Sequence, residues 1–264
     1  MKAEELFDIA WQATQIGADI LASSHPITVR KKGDRDLVTD VDLRIQRDVT
    51  SYLTRAAPHI AVLGEESSEQ PDVAAAEYLW VLDPIDGTSN FVHGLPLCTV
   101  SLPLLHHAHP VIAITRAPML DRTYHAVAGR GAFRDGEPIM ASSSTDLADA
   151  VVSLGDYAVG PGAADRNQRR LALTAALVPH VHRIRMFGAA TLDFTFVAEG
   201  ATDACIIMGN KPWDTAAGTL IAQEAGAIVI DAVGRPHTYQ SESTAASAPD
   251  ITRHLAAVIE QTNT

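Results

Sequence analysis

The sequence predicts a mixed α+β / α/β protein, with an antiparallel sheet half followed by an alternating α/β half. Three observations carry this. Apolar residues recur at steps of three and four near the N-terminus. Short apolar runs bounded by turn residues fill positions 60–134. Beyond about residue 140, apolar runs alternate with longer helical patterns.

The elements follow in order. Leu6, Ile9, Ala13, Ile16 and Ile20 form one helix face over about 3–23, ended by Pro26. A second helix covers about 42–55, with Leu43, Val49 and Leu53 inward and Pro58 as its stop. Strands are expected over 60–63, 79–82, 98–105, 111–115, 123–128 and 132–134, joined by turns such as Ala128-Gly129-Arg130-Gly131. The second half predicts strands at 151–154, 183–186, 204–208 and 228–231. Its helices fall at 165–177, 190–198, 214–225 and 249–260. The seam at 135–145 is the best boundary between an N-terminal half, 1–139, and a C-terminal half, 140–264, which should pack firmly together.

Of 264 residues, 32 are acidic and 20 are Lys or Arg, for a net charge of −12. The excess is −7 over 1–139 and −5 over 140–264, so it is not a terminal tail. The only basic run is Arg30-Lys31-Lys32, with Arg35 close by. A nucleic-acid partner, which needs a basic face, is excluded on these grounds. Cys98 and Cys205 both sit in apolar surroundings and read as reduced, buried thiols. The N-terminus carries acids where a signal peptide needs bases, and Gly94, Pro96, Pro103 and Pro110 interrupt the uncharged stretch 91–115. No membrane association and a cytoplasmic location are therefore expected.

Four acidic motifs stand at the ends of apolar strands or the starts of helices. In WVLDPIDGTSNF (80–91) an apolar run ends on Asp83, Pro84 restricts the backbone, and Asp86 follows before Gly87-Thr88. Two carboxylates at a strand end, with backbone carbonyls, suit a hard divalent cation, and a helix start beside them offers N–H groups to a phosphate. LGEES (63–67) closes another apolar run on Glu65 and Glu66. WDTAAG (213–218) and DLVTDVD (36–42) place Asp214 and Asp42 at helix starts. Each taken alone reads as a turn, a solvated loop or a helix cap. Together they form the pattern of one metal centre assembled from distant segments.

These motifs, in this order and spacing, resemble the inositol monophosphatase family of magnesium-dependent, lithium-sensitive phosphatases, which also include fructose-1,6-bisphosphatase. The resemblance covers nearly the whole chain and implies a layered αβαβα sandwich. It implies that Glu65, Asp83 and the Ile85 carbonyl hold one Mg²⁺. Asp83, Asp86 and Asp214 would hold a second, and a third, weaker ion would lean on Glu65. It further implies that Gly87 and Thr88 present N–H groups to the phosphate and that Glu65, Thr88 and Asp42 position the attacking water. Lys31 falls near the expected phosphate. The substrate side would be built from Gly87, Thr88, Asp86, Gly188, Ala189 and Asp214. The implied reaction is in-line attack of a metal-activated water on inositol monophosphate or a related sugar or polyol phosphate, in a homodimer.

Two positions depart from the family pattern. Ile207 stands seven residues before Asp214, where many members have an acid that contacts substrate hydroxyls, and it reads as a buried strand residue. Gly188-Ala189-Ala190 lacks the hydroxyl that commonly follows the glycine. Asp193 either faces the pocket or, as favoured, lies on the helix surface; Lys211 and Arg185 are rim candidates. His106, His107 and His109 read as a solvated hairpin turn rather than a metal cluster. His93 is expected near the site but not as a catalytic base. The alternatives are fructose-1,6-bisphosphatase, histidinol-phosphate phosphatase or 3′-phosphonucleotide phosphatase activity, and a non-enzymatic role as a transcription antitermination partner. The sequence shows no basic pocket for a second phosphate, and Ile207 cannot pair with a substrate amine.

Overall fold

The computed structural model describes residues 2–25, 28–34, 36–68 and 70–262. Helix α1, Ala3–Ser23, is followed by strands β1, Val29–Gly33, and β2, Asp36–Thr39, and by α2, Asp40–Ala56. Next come β3, Ala61–Gly64, and β4, Tyr78–Asp86. A short helix α3, Thr88–Val92, leads to β5, Thr99–His106, β6, His109–Ala117, β7, Arg122–Val127, β8, Ala132–Arg134, and β9, Glu137–Ile139. The second half runs through β10, Val151–Leu154, α4, Ala163–Leu177, β11, Arg183–Arg185, α5, Ala190–Ala198, and β12, Ala204–Met208. It closes with α6, Pro212–Glu224, β13, Ile228–Ile230, β14, Ser243–Ser247, and α7, Thr252–Glu260.

These elements stack in layers. A sheet of order β3-β4-β5-β6-β7-β8-β9 lies under α1 and α2, and a sheet of order β11-β10-β12-β14-β13 lies under α4 and α7. Helices α5 and α6 fill the space between the sheets, α6 crossing β4–β8 on one side and meeting β13 and β14 on the other. Each layer follows from its pattern. Ala10, Ala13, Leu21, Ile45, Val49 and Leu53 bury the α1–α2 face against Trp80, Leu82, Val100 and Leu102. The middle helices lack a polar face, as helices covered on both sides must: α5 buries seven of its nine residues.

Several details differ from expectation. Strand β3 pairs parallel with β4, so the first sheet is mixed rather than wholly antiparallel. Leu43 is exposed on α2, and Val41 and Ile45 point inward in its place. Two strands carry little apolar signal. Strand β1, Val-Arg-Lys-Lys-Gly, is exposed and pairs with β2, and β14, Ser-Thr-Ala-Ala-Ser, is made of small residues buried between β12 and β13. Pro26 and Arg35 lie outside the described residues. Both cysteines are free and buried, and burial raises the Cys98 thiol to about 12. Among the described residues no helix is long and apolar enough to cross a membrane.

Candidate active site

The centre of the site is the C-terminal end of β4. Successive strand residues point to opposite faces, so Asp83 and Asp86, three apart, would diverge on a regular strand. They do not, because the β4–β5 pairing jumps from Asp83↔Ser101 to Asp86↔Thr99, three steps on β4 against two on β5. The irregularity falls at Pro84, which has no N–H for the ladder. It brings both carboxylates onto the wall of one cavity of about 190 Å³. Gly87 then takes φ +88°, where a Cβ would come within 2.7 Å of the Leu97 carbonyl. That turn starts α3 with Thr88.

Glu65 arrives from the parallel neighbour. Gly64 pairs with Leu82, and the Glu65 N–H donates to the Leu82 carbonyl at 3.1 Å. Asp214 comes from the first turn of α6, and the Ile85, Gly87, Thr88 and Gly188 positions complete the same wall. Asp42 sits behind them, fully buried in the first turn of α2. Its Oδ2 accepts the Thr39 N–H at 2.9 Å and the Thr39 hydroxyl, which caps the helix in turn, while its Oδ1 accepts the Thr88 hydroxyl at 3.1 Å. The helix-cap and site readings of Asp42 thus hold together. Asp86 is clamped by the opposite half: Ala190 N–H donates to its Oδ1 at 3.1 Å, and Thr191 N–H to its Oδ2 at 2.6 Å with the Thr191 hydroxyl alongside.

The electrostatics are those of an anion cluster held without sufficient counter-charge. Burial, then the charges of Glu65, Asp86, Asp214 and Asp42, push Asp83 well above the usual carboxylate range. Burial and Asp86 do the same to Asp214. Burial raises Asp86, Asp42 and Glu65, opposed at Asp86 by the Thr191 and Ala190 donors and at Glu65 by Lys32. Asp83 Oδ1 is buried with no hydrogen-bond partner. A buried carboxylate oxygen in that condition fits a hard cation, since among the described residues no hydrogen-bond donor offsets its desolvation. Among the described residues no three acid, His or Cys side chains are already drawn into a closed ion-binding cluster. Like charges keep their distance, and Lys32 holds Glu65 at 2.8 Å and Glu66 at 2.6 Å. The donors surround one cavity that an ion would have to draw together.

Other expectations are corrected. Lys32, not Lys31, reaches the site, from the exposed β1 strand. Ala189 packs behind Gly87 rather than lining the cavity. Ile207 is buried in β12, as expected. Asp193 is wholly buried, not on a surface; neither oxygen has a hydrogen-bond partner, and although the nearby Ser153 hydroxyl eases its charge, burial raises it well above the usual range. Arg185 folds back onto the Ile184 carbonyl, and Lys211 precedes α6, where its charge favours ionised Asp214. His93 contacts the Ser89 carbonyl through Nδ1 at 2.8 Å. His106 stacks on Tyr78 at the β5–β6 turn, with the His107 ring tilted against it. A basic groove does exist: Arg166, Arg169, Arg170 and Arg235 line a cavity of about 670 Å³. Three of the four guanidiniums are already bonded, Arg166 to the Val159 and Pro161 carbonyls, Arg170 to Met208 and Arg235 to Asp231. Arg166, Arg169 and Arg170 stand within five residues in α4, so the sequence held a signal for this groove, and only Arg235 comes from a distant segment. Asp156 and Thr191 were also missed. Asp156 had a signal: Leu154-Gly155-Asp156 repeats the strand–Gly–acid order of Leu63-Gly64-Glu65.

A layered α/β fold with acids from four segments around one cleft defines a class of phosphatases, and comparison with known proteins resolves which. The sequence profile described as "Inositol monophosphatase family" matches residues 2–264. The chain is 37% identical over 231 residues to the "Probable inositol 1-monophosphatase ImpA" of Mycobacterium tuberculosis, covering 88% of this chain and 84% of the relative. It is 33% identical over 236 residues to the "Nus factor SuhB" of Pseudomonas aeruginosa, covering 88% and 87%. The crystal structure of the extragenic suppressor protein suhB from Bartonella henselae superposes with a TM-score of 0.88 at 29% identity, over 96% of this chain and 98% of that one. This chain belongs to the inositol monophosphatase family, and as such is a phosphoric monoester hydrolase acting on a small phosphorylated substrate.

Proposed function

We propose that the chain is a Mg²⁺-dependent phosphatase of inositol monophosphate or a related sugar or polyol phosphate. The observation that carries this is the convergence of Glu65, Asp83, Asp86 and Asp214 on one cavity, with an unpartnered oxygen of Asp83 at its base. Glu65, Asp83, the Ile85 carbonyl, Asp86 and Asp214 would hold two or three Mg²⁺ ions. When bound, the ions offset the charge of the phosphate dianion, acidify a water and stabilise the leaving alkoxide.

The protein's own groups do the rest. Gly87 and Thr88, at the start of α3, present first-turn amides to the phosphate. The Thr88 hydroxyl stands 3.1 Å from Asp42 and 2.9 Å from the Ile85 carbonyl. It has one proton for two acceptors, so it can take a hydrogen bond from a water and pass its own to Asp42, with Glu65 orienting that water from the other side. Water then attacks phosphorus in line with the ester oxygen, and the alcohol departs with a proton. Thr191 and Ala190 fix the Asp86 carboxylate throughout. A homodimer and lithium sensitivity belong to the same reading. A phosphate-release assay on a panel of phosphomonoesters, with and without Mg²⁺, tests it: Mg²⁺-dependent turnover is expected, and none on any ester would refute it.

A further inference from the structure

Strand β12 lacks an acid at Ile207, and the neighbouring strand supplies one. Strands β10 and β12 pair in parallel, and their C-terminal ends meet where the Gly155 N–H donates to the Ile206 carbonyl at 2.9 Å. A Cβ on Gly155 would touch Ile207 Cδ1 at 3.2 Å, so the missing acid and the next residue, Asp156, occupy adjoining ground. Asp156 lines the same cavity as Glu65, Asp83, Asp86 and Asp214. Its Oδ2 is 3.5 Å from the place of a Cβ on Gly188, which has none, so the opposite wall leaves the carboxylate uncovered. It is exposed, and among the described residues it makes no hydrogen bond or ion pair. Its charge is felt at Asp86 across the cavity; burial raises the Asp156 carboxyl above the usual carboxylate range, opposed by the charge of Arg170.

We propose that Asp156 is the specificity-determining acceptor of this site, binding a hydrogen-bond donor on the alcohol portion of the substrate, so that the preferred esters carry a hydroxyl or ammonium group beside the phosphate. This rests on the phosphatase reading above. The acceptor lost at Ile207 is replaced from the segment just after β10, so Ile207 does not by itself make the enzyme unselective. A site with an unpaired acceptor rejects substrates that cannot fill it, because the acceptor is then desolvated without a partner.

The test compares kcat/KM for three esters in the magnesium-loaded enzyme: an inositol monophosphate, an amino-alcohol phosphate, and p-nitrophenyl phosphate, whose leaving group offers no donor. In Asp156→Ala the preference for the two donor-bearing esters over p-nitrophenyl phosphate should fall roughly ten- to a hundredfold, chiefly through KM. Asp156→Asn keeps an acceptor oxygen and should lose less. A retained preference for the hydroxyl ester in Asp156→Asn, with the amine ester lost, would show that the charge serves an ammonium and the oxygen a hydroxyl. A preference that stays within about twofold of wild type in both variants, with melting temperature unchanged, would overturn this inference alone. A wild-type enzyme without turnover on any ester would overturn the phosphatase reading first and this one with it.

Discussion

Asp86 accepts three donors from across the interior, two amides and the Thr191 hydroxyl, and that environment separates its chemical role from its structural one. In Asp86→Asn one oxygen still accepts, but an NH₂ group faces a former donor, at a cost of about 1–3 kcal/mol. Activity should fall by about a hundredfold or more, the upper end of what loss of a group that merely orients a metal ligand costs, while circular dichroism shows an intact fold; full activity in this variant would remove Asp86 from the site. Thr191→Val is the more discriminating change. It keeps shape and the backbone N–H but removes the hydroxyl that holds Asp86 and leaves the Thr99 hydroxyl without its partner. The Mg²⁺ concentration for half-maximal activity should rise about tenfold, the scale of effects from groups that orient metal ligands. An unshifted Mg²⁺ titration would mean that the two amides suffice.

Helix α6 carries Asp214 one turn before Gly218, and Gly218 packs directly against Phe194 of α5. A Cβ there would sit 2.4 Å from Phe194 Cδ2 and 2.6 Å from Phe194 Cβ. The second atom is next to the backbone and cannot swing away, so Gly218→Ala must part the helices. Overpacking of this kind costs about 1–3 kcal/mol, or several degrees of melting temperature for a chain of this size. Because the displaced helix also bears Asp214, the same variant should respond less to Mg²⁺; a thermal melt with and without the ion reads both. The helices and apolar strands were legible from periodicity, since each buries one continuous face. Strands β1 and β14 were not, because polar and small residues carry no hydrophobic pattern even where, as in β14, they end up buried between neighbours.

At the scale of the molecule the acidic centre sets how stability depends on pH. The raised pKa values of Asp83, Asp86, Asp214 and Glu65 mean that the folded, metal-free protein binds more protons than the unfolded chain above the ordinary carboxylate range. Stability therefore falls as pH rises through that window, from about 4 upward. In chelator, the melting temperature should drop as pH rises above the ordinary carboxylate range, and Asp83→Asn should flatten the drop and stabilise the metal-free protein. Mg²⁺ should raise the melting temperature more at the upper end than at the lower. A chelator-treated melt independent of pH would show that these carboxylates do not repel one another. The acids themselves were readable because each sits in a contiguous motif. Asp156, Thr191 and Lys32 were not assigned, because what they do depends on residues 33 to 105 positions away.

The extra residue in β4 makes the site a matter of phase as well as of identity. Inserting one residue in β5 beside Val100 would match three steps on β4 with three on β5, so the ladder would run regularly and Asp86 would turn to the face opposite Asp83. All the acids would still be present, and Asp86 would face away from the cavity. A sequence of this family with both aspartates three steps apart but no irregularity in the ladder between them should therefore fold into the same layers and hydrolyse nothing.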